Sequence, residues 1–266
     1  MLKCILIFFS LFITSCSPTK PTYSREEITK HITELCKKEF NIDVKVWHVE
    51  DTIWVYAPFE DILDKKGTNY KEDISKNVRR IFMVLGRIIL SMENRPKFYC
   101  FVVSDIKNGI DIYYVWAIID YVKFLFGYIS QGEFNERQVF LPYLNTLAID
   151  DKEGIHIKPY NIQLGEFILY LIRQSLIKTF SSNELKDYLE VKNIDVNLLN
   201  KRLIIKLNIE ETKYKPNLNP FQETKKIAKK FLKIYEPQKE ILEVEISDNI
   251  KTEIYTKNEL LKNPKL

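Results

Sequence analysis

Histidine is the scarcest source of acid–base or metal chemistry in this chain: only His31, His48 and His156 are present. They are widely separated, with no His-Glu-x-x-His and no Cys-x-x-Cys pair. Zinc ligation therefore lacks its usual spacing, and no metal or cofactor is expected. A serine nucleophile needs a strained turn between small residues, following a strand. The nearest stretch, Gly127-Tyr128-Ile129-Ser130-Gln131-Gly132, has one residue too many and follows a helical pattern. Two carboxylates stand out more. Asp105 follows Val103-Ser104 and Asp248 follows Ile246-Ser247, each at the end of an expected strand. Were the two strand ends to meet across a pseudo-dyad, they would form the acid and base of a hydrolase. Ser-Asp before a hairpin is also ordinary turn chemistry, in which the carboxylate accepts backbone N–H bonds, and that is the expectation here.

The remaining polar clusters read more simply. Asp150-Asp151-Lys152-Glu153-Gly154 lacks the alternating oxygen ligands of a calcium loop and is expected to be a solvated turn. Lys225, Lys226, Lys229, Lys230 and Lys233 lie opposite Ile227, Phe231 and Ile234 on one helix. Such a stripe meets anionic headgroups at ~1 kcal/mol per lysine, and it is equally the polar side of any surface helix. Trp47, Trp54, Tyr113 and Trp116 would line the cleft of a small-ligand carrier, although alternation on apolar strands places them in the core.

Four cysteines remain to be placed: Cys4, Cys16, Cys36 and Cys100. Lys3 precedes the apolar run at residues 5–12, and Ile13-Thr14-Ser15-Cys16 follows it. A run of about 12 residues is shorter than the ~20 that cross a bilayer as a helix, so residues 1–15 read as a removable signal peptide. Charge, length and the Ile-Thr-Ser-Cys ending together resemble the lipobox leader of bacterial lipoproteins. The resemblance implies diacylglyceryl transfer to the Cys16 sulfur, cleavage before Cys16 and acylation, palmitate included, of the new amino terminus. It also implies a protein held by lipid at the cell membrane or outer membrane, facing the periplasm or the exterior. Ser17, where an aspartate favours inner-membrane retention, leans towards the outer membrane. Residues 16–23 form a polar tether containing Pro18 and Pro21, which reaches only ~20 Å when extended. Cys36 and Cys100 are left over. They are either bridged, as an oxidising exterior permits, or two small buried hydrophobes.

The rest of the chain must position these groups. Its 266 residues are 45% hydrophobic and 13% aromatic, enough for one large core or two modest ones. A net charge of +4 is too mild to point to nucleic acid, and seven scattered glycines provide no phosphate loop. Ser24-Arg25-Glu26-Glu27 fits a capping box opening a helix to about residue 40. Strands follow at 42–49 and 52–57, where Pro58 should end the ladder. A helix over 74–93 comes next, then a hairpin of 98–103 with 110–116 around Asn108-Gly109, then a helix over 117–129. Residues 132–159 show no clear period. A buried helix is expected over 164–178 and a second box, Ser181-Ser182-Asn183-Glu184, should start a short helix. Strands near 196–199 and 203–209, a helix over 220–235 and a hairpin of 241–246 with 252–255 complete the chain.

The order repeats itself. Ser-x-x-Glu opens both halves, Asn-Ile-Asp-Val recurs at Asn41 and Asn193, and Ser-Asp closes a strand in each. The fold class is α+β, with antiparallel hairpins, helices packed on one face, and a duplicated α-β-β-α-β-β unit as the candidate plan. Its parts are repeat one at 24–130, an irregular helical bridge at 131–180 and repeat two at 181–266. The function expected is non-enzymatic: a lipid-anchored protein that touches the membrane through Cys16 and binds another envelope protein. A carboxylate hydrolase and a small-ligand carrier are the alternatives.

Overall fold

The computed structural model describes residues 23–262 except 65, 68, 186, 214–217 and 238. The leader, Cys4, Cys16 and the tether up to residue 22 lie outside the described residues. The first run of elements is α1 (Ile28–Phe40), β1 (Lys45–Val49), β2 (Thr52–Phe59), α2 (Glu72–Leu90), β3 (Phe98–Asp105) and β4 (Ile110–Ala117). A connecting region holds α3 (Ile118–Leu125), α4 (Gln131–Glu136), β5 (Val139–Leu144) and a 3-10 turn at Thr146–Ala148. The second run is α5 (Leu164–Phe180), β6 (Leu189–Leu199), β7 (Arg202–Glu211), α6 (Pro220–Tyr235), β8 (Glu243–Ser247) and β9 (Thr252–Thr256), followed by α7 (Lys257–Lys262).

The same α-β-β-α-β-β succession thus occurs twice, and the strands pair in the same way each time. Sheet one has the order β1-β2-β3-β4-β5 and sheet two the order β6-β7-β8-β9. Each hairpin is antiparallel, while β2 pairs with β3, and β7 with β8, in parallel. A parallel step needs a crossover, and α2 and α6 supply it. The result is an α+β fold of two mixed sheets, each with its own two helices on one face.

Alternation along the strands decides which layer meets which. On one face of sheet one, Ile53, Val55, Tyr99, Phe101 and Val103 join Ile32 and Cys36 of α1 and Ile81 and Leu85 of α2 in one core. The opposite face carries Trp54, Tyr56, Cys100, Val102 and Val115, which join Phe167 and Leu171 of α5 in a second core. That second core continues through Phe231 of α6 to Val196, Ile205 and Val244 of sheet two. Helices, sheet, helices and sheet therefore stack in four layers, and α5 packs between sheet one and the second run of elements.

Several local expectations are corrected. The Ser181 box opens no helix. Ile168, Ile172, Leu176 and Phe180 continue one buried stripe, so α5 runs on to Phe180. Ser181 then becomes its C-cap, with its N–H on the Ile177 carbonyl at 2.9 Å, and the second run opens at Leu164. Ser24 Oγ bonds the Glu27 side chain at 3.3 Å instead of a helix N–H, and α1 begins only at Ile28. Pro58 does not end β2, which runs to Phe59. The Phe59 carbonyl accepts from Ile106 on the β3 side, so Pro58 turns the other way. There β1 has already stopped opposite Tyr56, and a missing N–H leaves nothing unpaired.

Candidate binding surface

Within residues 132–159, which showed no period, the chain from β5 onward forms a closely fastened loop. β5 adds to β4 in an antiparallel ladder, and the chain then turns back over the β3–β4 hairpin. Asn145 N–H donates to the Gly109 carbonyl at 2.7 Å, and Asp150 N–H to the Ile106 carbonyl at 2.8 Å. Gly109 has φ +65°, and a Cβ there would lie 2.9 Å from the Asn145 carbonyl oxygen, so only glycine allows this approach. Further on, Gly154 at φ +70° passes so close to Tyr56 and Trp47 that a Cβ would lie 2.9 and 3.0 Å from their rings.

The inner side of this loop is fastened by buried polar groups. Asp111 on β4 is fully buried. Its Oδ2 accepts from Asn145 Nδ2 at 2.8 Å and faces His156 Nε2 at 3.0 Å. The other ring nitrogen, His156 Nδ1, lies 2.5 Å from Asp151 Oδ2, and the His156 side chain is only 3% exposed. Asp151 Oδ2 also accepts from His156 N–H at 2.9 Å, while Asp151 Oδ1 accepts from Glu153 N–H at 3.1 Å. The Tyr56 hydroxyl donates to the Asp151 carbonyl. Burial acts to raise the Asp151 carboxyl, but the His156 backbone, its ring and the Ile155 N–H outweigh it and hold the pKa at about 2. Two ring nitrogens facing two carboxylates are both satisfied as donors when the imidazole is protonated.

Chemically the cluster is a fastening. Ser104 Oγ, beside Asp111 in the ladder, is buried without a hydrogen-bond partner, and so is Asp111 Oδ1. Yet both nitrogens of His156 already face carboxylates, leaving none to take a proton from a hydroxyl. The outer side of the same loop exposes several aliphatic side chains alongside the charged Asp150, Lys152 and Glu153. Leu144 is 88% exposed, Leu147 72% and Ile155 83%, with Ile149 also exposed. These exposed aliphatics lie within twelve residues of one another on a loop whose inner side is hydrogen-bonded to the β3–β4 hairpin.

The residues singled out from sequence are placed as follows. Asp105 and Asp248 sit in different hairpin turns on different sheets. Asp105 accepts from the N–H groups of Asp61, Ile62, Lys107 and Asn108 and from the Asn108 amide. Burial opposes ionisation there, but these bonds hold its pKa below the ordinary value. Asp248 accepts from Ile250 and Lys251 N–H, each at 2.8 Å. The two carboxylates are thus not brought together, and each closes its own turn. Cys36 and Cys100 are both free and buried. They belong to the two cores on opposite faces of sheet one, so the sheet itself separates them and the bridge is ruled out. Ser130 is the N-cap of α4, its Oγ accepting from Glu133 N–H at 3.1 Å. His31 packs on Tyr23 with ring centroids 4.8 Å apart, and His48 Nε2 meets Arg25 Nε at 3.3 Å.

The lysine stripe is not a continuous solvated face. Lys225 is buried over the Tyr255 ring, while Lys226 and Lys230 pair with Glu223 and Glu136. Trp116 stacks on Tyr99 in the α1/α2 core. Trp54 and Tyr113 do line a cavity, walled also by Tyr143, Tyr160 and Tyr170, of about 130 Å³. That space suits a single small ring and falls below the ~300 Å³ of ordinary ligand sites. The His156 cluster escaped sequence reasoning because Asp111, the strand carboxylate that fixes the loop, lies 45 residues away along the chain. The one available signal was a set of aliphatics, Leu144, Leu147 and Ile149, among turn residues with no period that would bury them. Comparison with family models, curated proteins and solved structures finds no match to this chain.

Proposed function

We propose that this chain is a lipid-anchored envelope protein with a non-enzymatic binding or assembly role. In this reading Cys16 carries the lipid, at the cell membrane or outer membrane, and the loop bearing Leu144, Leu147, Ile149 and Ile155 meets a protein partner on the periplasmic or outer side. The observation that carries the proposal is the contrast between the two sides of that loop, fastened inside by His156, Asp111 and Asp151 while Leu144, Leu147, Ile149 and Ile155 are left exposed outside. A preordered loop binds without the cost of ordering itself. Its position supports the same reading. The described residues begin at Tyr23, whose N–H reaches the Ser91 carbonyl at 3.5 Å, shortly before β3 begins. The loop lies over the far end of β3, about 23 Å away along an eight-residue strand.

The test is photocrosslinking in intact cells, with a benzophenone side chain at Leu147 and a control at exposed Lys206 on sheet two. A single envelope protein captured from Leu147, and lost when Leu144 and Ile155 become aspartate, is the expected result. Equal capture from both positions would reject the loop as the binding surface. Cys16→Ala should separately abolish lipid labelling.

A further inference from the structure

We infer that the end of the fold where the chain enters rests on an anionic phospholipid bilayer, with the loop closing α3 dipping into the headgroup region. The inference rests on the proposed lipidation of Cys16. Tyr23 bridges Met92 just past the end of α2, and only six residues separate it from Cys16. Six extended residues span ~20 Å. A folded partner of about 100 residues already has a radius of gyration of about 13 Å, too thick to sit within that gap. Whatever covers this end is therefore the membrane.

The surface at this end has the composition an interface takes. Phe126 is 63% exposed and Tyr128 is 78% exposed, with ring centroids 6.5 Å apart. They are held in place, since Gly127 at φ +74° closes α3 with Gly127 N–H on the Phe124 carbonyl and Tyr128 N–H on that of Lys123. Leu125, also exposed, has its Cδ1 3.6 Å from where a Cβ on Gly86 would stand, so it lies against α2. Exposed Met83 and Leu90 flank Gly86 on that helix. Beside α3 runs a groove of about 410 Å³ rimmed by Arg95, Lys97 and Lys123. Lys97 also pairs with Asp51 at 2.7 Å, and Glu93 is an exposed carboxylate on the same segment. Arg95, whose guanidinium also donates to the Ile89 and Leu90 carbonyls, and half-buried Lys123 supply the attraction for anionic headgroups. Exposed aromatics flanked by cations are an interfacial anchor, and among the described residues no helix is long and apolar enough to cross a membrane.

The experiment uses the full, lipidated chain reconstituted into vesicles of phosphatidylethanolamine with or without phosphatidylglycerol. Single environment-sensitive labels are placed by Phe126→Cys, by Tyr128→Cys and, as a distant control, by Ile250→Cys. Cys36 and Cys100 are buried and do not compete. The expected result is a blue shift and iodide protection at positions 126 and 128 in the anionic vesicles, weakened by salt, with none at 250. Labels at 126 and 128 as wet as at 250, on protein that still floats with the vesicles, would overturn the docking while leaving the lipid anchor standing. Protection in native envelopes but not in vesicles would assign the patch to a protein and overturn it too. A mature mass lacking acyl chains on Cys16 would instead overturn the anchor, and with it this inference.

Discussion

Replacing His156 with alanine tests the fastening of the 144–155 loop most directly. The change removes the groups facing Asp111 Oδ2 at 3.0 Å and Asp151 Oδ2 at 2.5 Å. Asp111 is fully buried, its Oδ1 already lacks a partner, and it would keep only the Asn145 amide. Asp151 is better protected, because the N–H groups of Glu153 and residue 156 still donate to it. Removing one member of a buried pair costs about 3–5 kcal/mol. With one of the two carboxylates still bonded, the lower figure, about 3 kcal/mol, applies. For a chain of this size each kcal/mol moves Tm by about 2–4 °C, so Tm should fall by about 6–12 °C. Denaturant unfolding measures the loss. Hydrogen exchange locates it, since the amides of Asn145, Asp150 and residue 156 should exchange faster while those in β2 and β3 stay protected. Asp111→Asn combined with His156→Asn should cost less than the sum of the two single changes. A His156→Ala protein within about 0.5 kcal/mol of the parent, with unchanged exchange in the loop, would refute the latch.

Two other predictions concern buried charges. The Asp151 carboxyl is held at about 2, below its unfolded value of about 3.9, so its contribution to stability is complete above about pH 4 and disappears as pH falls to 2. Denaturation midpoints between pH 2 and 5 should therefore fall more steeply for the parent than for Asp151→Asn, and parallel curves would sink the assignment. Arg137 pairs with buried Asp120 at 2.8 Å, and Tyr235 of α6 donates to the same carboxylate at 2.6 Å. Arg137→Met should destabilise by about 3 kcal/mol, and adding Asp120→Asn should recover most of it. A double variant as unstable as the sum of the singles would show that the pair is uncoupled.

What could be read from the sequence was what is local. The stripe Ile28, Ile32, Cys36 and the longer one on α2 declare their helices, and the unbroken apolar runs of β2 and β3 declare strands covered on both faces. Gly109, at φ +65°, marks the hairpin turn, and the recurring order of elements anticipates a succession that occurs twice, though not the parallel pairing of β2 with β3 and of β7 with β8. What escaped depends on partners distant in sequence. β5 carries Pro142 and exposed Phe140, Tyr143 and Leu144, a pattern with no strand period, and is recognisable only once β4 lies beside it. Whether Cys36 meets Cys100 depended on which face of sheet one α1 covers, and a shift of one residue along β3 would reverse the answer. His156 lies 45 residues from Asp111, and no spacing rule joins a loop histidine to a strand carboxylate.

The layering also dictates an order of events. Chains emerge amino terminus first, and by the time residue 117 has appeared β1 to β4, with α1 and α2 behind them, can assemble. Trp54, Tyr56, Cys100, Val102 and Val115 then face outward, because the helix that covers them spans Leu164–Phe180 and has not yet been made. The nascent protein carries a bare aromatic and aliphatic face through some fifty further residues of synthesis. A premature stop in that interval yields a sticky half-molecule that aggregates, whereas one after residue 180 leaves the first sheet clothed on both sides.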